Sequence, residues 1–306
     1  MILTHPACLR HDPGPGHPEC PQRLQAVLRA LAAQEFSAIA RANSSAVTRA
    51  LVERVHHGIE FTQIFAHAPH VEHLMLDADT VLQPAPDSLD AALHAAGAVV
   101  DAVDAVLDGQ ARRAFCAVRP PGHHATPERA MGFCIFNNIA LGARHALDRG
   151  LERIAVLDFD VHHGNGTQDC FADEARVCFA SSHQWPLYPG TGALHETGIG
   201  NVFNAHLAAG AGSTEFRAAW AQRLLPAIDA FRPQLLLVSA GFDAHRLDPL
   251  GGLDLDTADY AWLTREIVTI AERHAQGRVV SSLEGGYSLT ALSEASAAHC
   301  RELFAR

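Results

Sequence analysis

The sequence predicts an α/β protein, a parallel sheet covered by helices on both faces. Three observations carry this. From residue 88 onward, short apolar runs alternate with amphipathic stretches. The runs are continuously apolar, as strands buried on both faces must be. Nearly every run ends in a segment rich in Gly, His and Asp, and open α/β sheets bind their ligands outside the carboxyl ends of the strands.

Taken in order, His5 to Arg23 (HPACLRHDPGPGHPECPQR) has the proline and glycine density of a loop ended by Pro21. Gln22 to Ala33 has helical spacing. Residues 34 to 86 mix polar turns and proline-bounded pieces that define no order of elements. Ser88 to Leu107 is a long amphipathic helix stopped by Asp108-Gly109. Ala114 to Val118 is a short strand running into RPPGHHA, and Asn138 to Asp148 is a helix. Strands follow at 154 to 158, Arg176 to Ala180, Val202 to Leu207, Gln234 to Ser239 and Arg278 to Leu283. Helices are expected at Thr214 to Phe231, Thr257 to His274 and Leu289 to Phe304. No repeat, low-complexity tract or linker divides the chain, so residues 1–306 read as one domain.

Bulk properties narrow the function. Net charge is −11, which argues against nucleic-acid binding and suits a cationic substrate. No long apolar span and no basic-then-apolar leader is present, so neither a membrane helix nor a signal peptide is expected. The 7 cysteines are odd in number, widely spaced and without a CxxC pair, which points to a reducing cytoplasm rather than a disulfide framework. All 23 basic side chains are arginine, the mark of a GC-rich, bacterial genome.

The chemistry concentrates at RIAVLDFDVHHGNG, Arg153 to Gly166. Asp158, Asp160 and His162 alternate at period two and in an extended segment face one way. With Asp243 of AGFDAH, after another strand, Asp160 and His162 form a candidate metal site. Two carboxylate oxygens and one imidazole nitrogen suit zinc, and three protein ligands leave a position open for water or substrate. His123 and His124 of RPPGHH would supply a general base and a general acid or electrostatic partner. Asp158 and Asn165 are available to orient them through their second ring nitrogens. Tyr287 of EGGY could donate to a developing oxyanion. Phe133 and Tyr188 could wall a channel, although singly each reads as core. No GxSxG elbow, P-loop or GxGxxG opens a strand–helix turn.

Together and in this order, HPECPQR, RPPGHHA, DFDVHHGNGTQ, YPGTG, SAGFDAHRLDPLGG and LEGGY resemble the zinc-dependent histone deacetylase family. The nearest likeness is to its class II-like and bacterial members, among them acetylpolyamine amidohydrolases and acetoin-utilisation proteins. The resemblance implies an arginase-like fold with an eight-stranded parallel sheet, and one zinc on Asp160, His162 and Asp243. It implies His123 backed by Asp158, His124 backed by Asn165, and Tyr287 as oxyanion donor. The implied substrate channel includes Gly132, Phe133, Tyr188, Leu250 and Gly286. A potassium ion is implied at Asp158, Asp160, His162, Ser181 and Ser182, and a second near Phe171, Glu174 and Val177. The implied reaction removes an acetyl or other acyl group from an amine such as a lysine side chain. The substrate would be an acyl-lysine protein or peptide, or a small N-acyl amine.

Particular positions sharpen this. Family members with histidine at the Tyr287 position are poor deacetylases, so tyrosine implies competence. Leu250 stands where polyamine-specific eukaryotic members carry a gatekeeping glutamate, which weakens the acetylpolyamine alternative. Asp79 is a candidate for the rim aspartate that grips substrate backbone. Which histidine is base, the acyl chain length and the oligomeric state, a homo-oligomer included, stay open. A binuclear manganese ureohydrolase would need carboxylates where Gly164 and His245 stand. A non-catalytic acyl-ligand binder would have lost a proton-transfer or oxyanion residue, and none is lost.

Overall fold

A computed structural model describes residues 1–305. Its centre is an eight-stranded, all-parallel sheet. The strands in chain order are β1 (Ile2–Thr4), β2 (Arg41–Asn43), then β3 (Leu74–Met75) and β4 (Val81–Leu82), which form a separate antiparallel hairpin. They continue with β5 (Arg113–Cys116), β6 (Ile154–Asp158), β7 (Val177–Gln184), β8 (Val202–Leu207), β9 (Leu235–Ala240) and β10 (Val279–Leu283). The order across the sheet is β2-β1-β5-β10-β9-β6-β7-β8. The central strands are buried at every position, as their continuous apolar runs require. Each of Val156, Leu157, Leu237 and Val238 is fully buried, contributing roughly 1.5–3 kcal/mol by leaving water.

Helices flank the sheet. Ala85–Leu107 packs on Asn138–Asp148, while Leu289–Leu303 packs between Pro21–Ala30 and Thr257–His274. Ala85–Leu107 turns small residues inward (Ala91, Ala92, Ala95, Ala96, Ala102), which lets it lie close to the sheet. It begins three residues earlier than the sequence suggests because Pro86 sits in the first turn, where its missing N–H leaves nothing unpaired. At the start of Thr257–His274 the Asp259 carboxylate accepts the N–H of Asp256 at 3.0 Å, and Asn137 caps Asn138–Asp148 by accepting the N–H of Ala140.

Three further differences have local causes. The expected helix at 214–231 is interrupted by a π turn at Trp220–Leu224, just before Pro226, which cannot supply an N–H. Strand β7 runs on through the polar Ser181-Ser182-His183-Gln184 because β8 continues the ladder beside it, with His183 paired to His206 and Gln184 to Leu207. Strands β1 and β2 were not legible: three residues each, and in β2 the sequence Arg-Ala-Asn is largely exposed. All seven cysteines are free, and among the described residues no helix is long and apolar enough to cross a membrane.

Candidate active site

The carboxyl ends of β5, β6, β7, β9 and β10 open toward one cavity of about 240 Å³. It is lined by Asp79, His124, Gly132, Phe133, His162, Leu187, Tyr188, Leu250 and Tyr287. Gly286, expected in the channel wall, does not line it. Gly286 is buried behind Tyr287 and turns its carbonyl to Arg23 Nε at 2.6 Å.

At one end of the cavity, His162 brings Asp160 and Asp243 together. One ligand atom from each lies within 4.8 Å of the others, and His162 Nδ1 is 3.1 Å from Asp160 Oδ1 and 3.2 Å from Asp243 Oδ2. Strands β6 and β9 are sheet neighbours, with Asp158 opposite Ser239, so the loops after them meet although they are distant in the chain. Backbone amides orient both carboxylates: Val161 N–H donates to Asp243 Oδ1 at 2.8 Å and Gly285 N–H to Asp160 Oδ2 at 2.9 Å. At Gly285 a Cβ would lie 2.0 Å from Asp243 Oδ2 and 2.6 Å from Asp160 Oδ2, so only glycine lets β10 close over the pair.

This donor set fits zinc. Bonds of about 2.0–2.1 Å in a tetrahedron put neighbouring ligand atoms about 3.3 Å apart, close to the distances seen. The electrostatics agree. Burial, and then the charge of Asp160, push Asp243 up to about 7, so two adjacent buried carboxylates call for a cation between them.

The histidine pair stands beside this cluster, with ring centroids 4.0 Å apart. His123 Nδ1 lies 3.0 Å from Asp158 Oδ2, and His124 Nδ1 lies 2.8 Å from Asn165 Oδ1. Burial opposes charge on His123, but Asp158 and Asp160 outweigh it and hold the imidazole up at about 10. Burial and the charges of His123 and His162 hold His124 well below the usual histidine value. The two rings thus differ in basicity, His123 the higher and His124 the lower. Burial keeps the Tyr287 phenol protonated, well above its ordinary value.

Gly164 leaves no room for a further ligand beside Asp158. A Cβ there would lie 2.1 Å from Asp158 Oδ2 and 3.2 Å from His123 Nδ1. No side chain fits, so the position cannot carry the carboxylate that a second metal would need. His163, the other histidine of the motif, is spent elsewhere, on Thr191 Oγ1 at 2.8 Å and Gln168 Oε1 at 3.1 Å.

Sequence reasoning missed three supports. Glu284 is fully buried, and its Oε2 accepts the N–H of Gly122 at 2.6 Å and of His123 at 3.2 Å. Asp248 Oδ2 accepts the N–H of Tyr287 at 2.6 Å and of Ser288 at 3.1 Å, while its Oδ1 accepts that of Leu250 at 3.0 Å. Arg23 donates to the carbonyls of Gly286 and Glu284, lies 4.8 Å over the Tyr287 ring, and is paired with Glu19 at 2.8 Å. Glu19 also pairs with Arg119 of the RPPGHH segment. Both Glu19 and Arg23 lie in the HPECPQR motif, and the signal that could have found Glu284 was a carboxylate placed directly after an apolar strand. At the mouth, Thr80 Oγ1 accepts the N–H of Phe133 at 3.0 Å, and His17 Nε2 meets the carbonyl of Asp79 at 3.2 Å.

Comparison with known proteins agrees with this geometry. Residues 17–303 match the model of the histone deacetylase domain. A probable deacetylase of Archaeoglobus fulgidus is 38% identical over 294 residues, 94% of this chain and 81% of that protein. The chloroplastic histone deacetylase 14 of Arabidopsis thaliana is 36% identical over 325 residues, 99% of this chain and 76% of that protein. The crystal structure of the HDA15 HD domain superposes with a TM-score of 0.92 at 32% identity, covering 99% of this chain and 87% of that one. In sequence, fold and the placement of its motif residues, the chain belongs to the histone deacetylase family.

Proposed function

We propose that the chain is a zinc-dependent amidohydrolase that removes an acetyl or other acyl group from an amine such as a lysine side chain. The observation that carries this is the joint placement of Asp160, His162 and Asp243 against His123, His124 and Tyr287 around one cavity. Zinc held by Asp160, His162 and Asp243 would supply Lewis acidity to the amide carbonyl and to water.

The chain's own residues do the rest. Tyr287 O–H donates to the carbonyl oxygen as negative charge builds there. His124 donates its Nδ1–H to Asn165 Oδ1, which leaves Nε2 with a lone pair for the proton of the attacking water. The same nitrogen returns the proton to the leaving amine. His123, held cationic by Asp158, offsets the charge of the tetrahedral state. The amide C–N bond breaks, giving a carboxylate and a free amine. Phe133, Tyr188, Leu187 and Leu250 wall the path of the acyl-bearing chain, and Asp79 at the mouth is the candidate grip on substrate backbone.

A potassium ion is assigned to Asp158, Ser181 and Ser182. Asp158 and Ser181 are register partners on β6 and β7, and all three residues are buried. The proposal treats the chain as one catalytic domain, and its free cysteines fit a reducing compartment such as the cytoplasm.

The test is a substrate panel of acetyl-lysine peptides, longer acyl-lysines and acetylpolyamines, run with and without chelator. Chelator-sensitive, zinc-restored release of acetate from acetyl-lysine is expected. Activity that ignores chelator, or none after zinc is restored, overturns the reading. An acetylpolyamine preference above about tenfold in kcat/KM, roughly 1.4 kcal/mol, would overturn the lysine assignment.

A further inference from the structure

Three backbone carbonyls, those of Phe171, Glu174 and Val177, converge on one buried point away from the candidate active site. At that point sits the side-chain amide nitrogen of Asn201, which donates to them at 2.7, 3.1 and 2.8 Å. Asn201 is 7% exposed. Its Oδ1 accepts the N–H of Ile199 at 3.2 Å, which fixes the amide with its nitrogen, not its oxygen, facing the carbonyls.

A cage made only of backbone carbonyls is the chemistry of a monovalent cation such as potassium. No carboxylate joins it: the Glu174 side chain turns away to Arg176, at 2.8 and 2.5 Å. The carbonyls of Phe171 and Glu174 each already accept one turn hydrogen bond at 3.0 Å, from Glu174 N–H and Val177 N–H. What they lack is one more positive partner each. An amide with two hydrogens shared among three oxygens supplies it, with nothing to dissociate.

We infer that Asn201 stands in for a cation, so that this chain binds no potassium at the Phe171–Glu174–Val177 cage. This departs from the second potassium implied by the sequence resemblance. The residues present do not fit an ion there, because the space between the carbonyls belongs to Asn201 Nδ2. The inference is independent of the catalytic assignment, and its readout needs no activity.

Thallium(I), a potassium surrogate with strong anomalous scattering, tests it directly. Crystals of the wild-type protein in thallium(I) should show no anomalous peak among the three carbonyls, and crystals of Asn201→Ala should show one. In thermal unfolding at equal ionic strength, Asn201→Ala should lose roughly 3–6 °C in choline chloride relative to wild type and regain most of it in potassium chloride. Asn201→Asp, the same size but with oxygens only, should depend on potassium more steeply. Any other potassium site is common to all three proteins and cancels in these differences. A wild-type thallium peak in contact with the three carbonyls, with the Asn201 side chain displaced, overturns the inference. So do variants that are equally stable in both salts. If neither variant folds, the wild-type map alone decides.

Discussion

Glu284 Oε2 accepts the backbone N–H of His123 at 3.2 Å and that of Gly122 at 2.6 Å. One buried carboxylate at the end of β10 thereby fixes the turn that presents both histidines from β5. Removing it would leave two amides unpaired in the interior, at about 1–3 kcal/mol each. Glu284→Ala is expected to lower kcat by roughly 10–100-fold with KM within about threefold, because the histidine pair shifts while the channel walls stay. Glu284→Gln, which keeps one acceptor oxygen, should fall between. A folded Glu284→Ala protein with wild-type kcat would sink this role.

Tyr287→Phe removes a single donor from the path of the developing oxyanion. We expect kcat to fall about 10²–10³-fold, the usual effect of losing one such donor. Thermal stability should be little changed, since Arg23 still lies against the ring and Asp248 still holds the backbone. Steady-state kinetics beside a melting curve separate the two effects.

The histidines should be unequal. His124, with its Nε2 lone pair free, carries the proton in both directions, so His124→Ala should cost at least about 10³-fold in kcat. His123 contributes charge and should cost less, on the order of 10–100-fold. Equal losses in the two variants would contradict the division of labour that Asn165 and Asp158 impose.

Metal content follows from the ligand set. Purified protein should carry one zinc per chain by elemental analysis. Chelation should lower the melting temperature, since an ion that binds only the folded state stabilises it. Asp243→Ala should hold none. Zinc retained by Asp243→Ala would place the metal elsewhere.

Acid lability is expected from buried histidines outside the proposed catalytic set. His56 is buried, with Nε2 accepting the N–H of Asn137 and Nδ1 donating to the carbonyl of Thr126, both at 2.9 Å. Protonation would set one N–H against another. Burial brings His56 down to about 4 and His299 down to about 3. Both lie below the unfolded value of about 6.5, so below that pH the unfolded chain binds more protons and stability drops. The loss should be roughly 2 kcal/mol for each by pH 5, and the His56 share should level off near pH 4. Urea midpoints measured from pH 7.5 to 5 should decline steadily. A flat profile would refute the neutral, buried assignment.

The central half of the fold was legible because its strands are buried on both faces and its helices carry their own caps. Asn138–Asp148, Ile154–Asp158, Val202–Leu207 and Thr257–His274 fall where apolar runs and spacing place them. Strands β1 and β2 were not, because three-residue strands, β2 at the sheet edge and β1 next to it, take their identity from a neighbour rather than from their own pattern. The same division runs through the site. Asp160, His162, Asp243, His123 and His124 cluster in motifs at strand ends and announce themselves. Glu284 and Asp248 act through backbone amides of distant loops, and no local spacing records that.

The proposed metal ligands depend on β6 and β9 being adjacent, not on how the chain travels between them. Met1 N and the carbonyl of Ala305 both bond to Arg113, so the two described ends of the chain lie side by side. Ala208 to Gly210 is exposed and lies beyond the last strand in the sheet order. A circular permutant joined at the old ends and opened there keeps every strand neighbour that builds the site. The site is thus a property of the sheet's lateral order, and the path of the chain through it could be rewritten without moving a ligand.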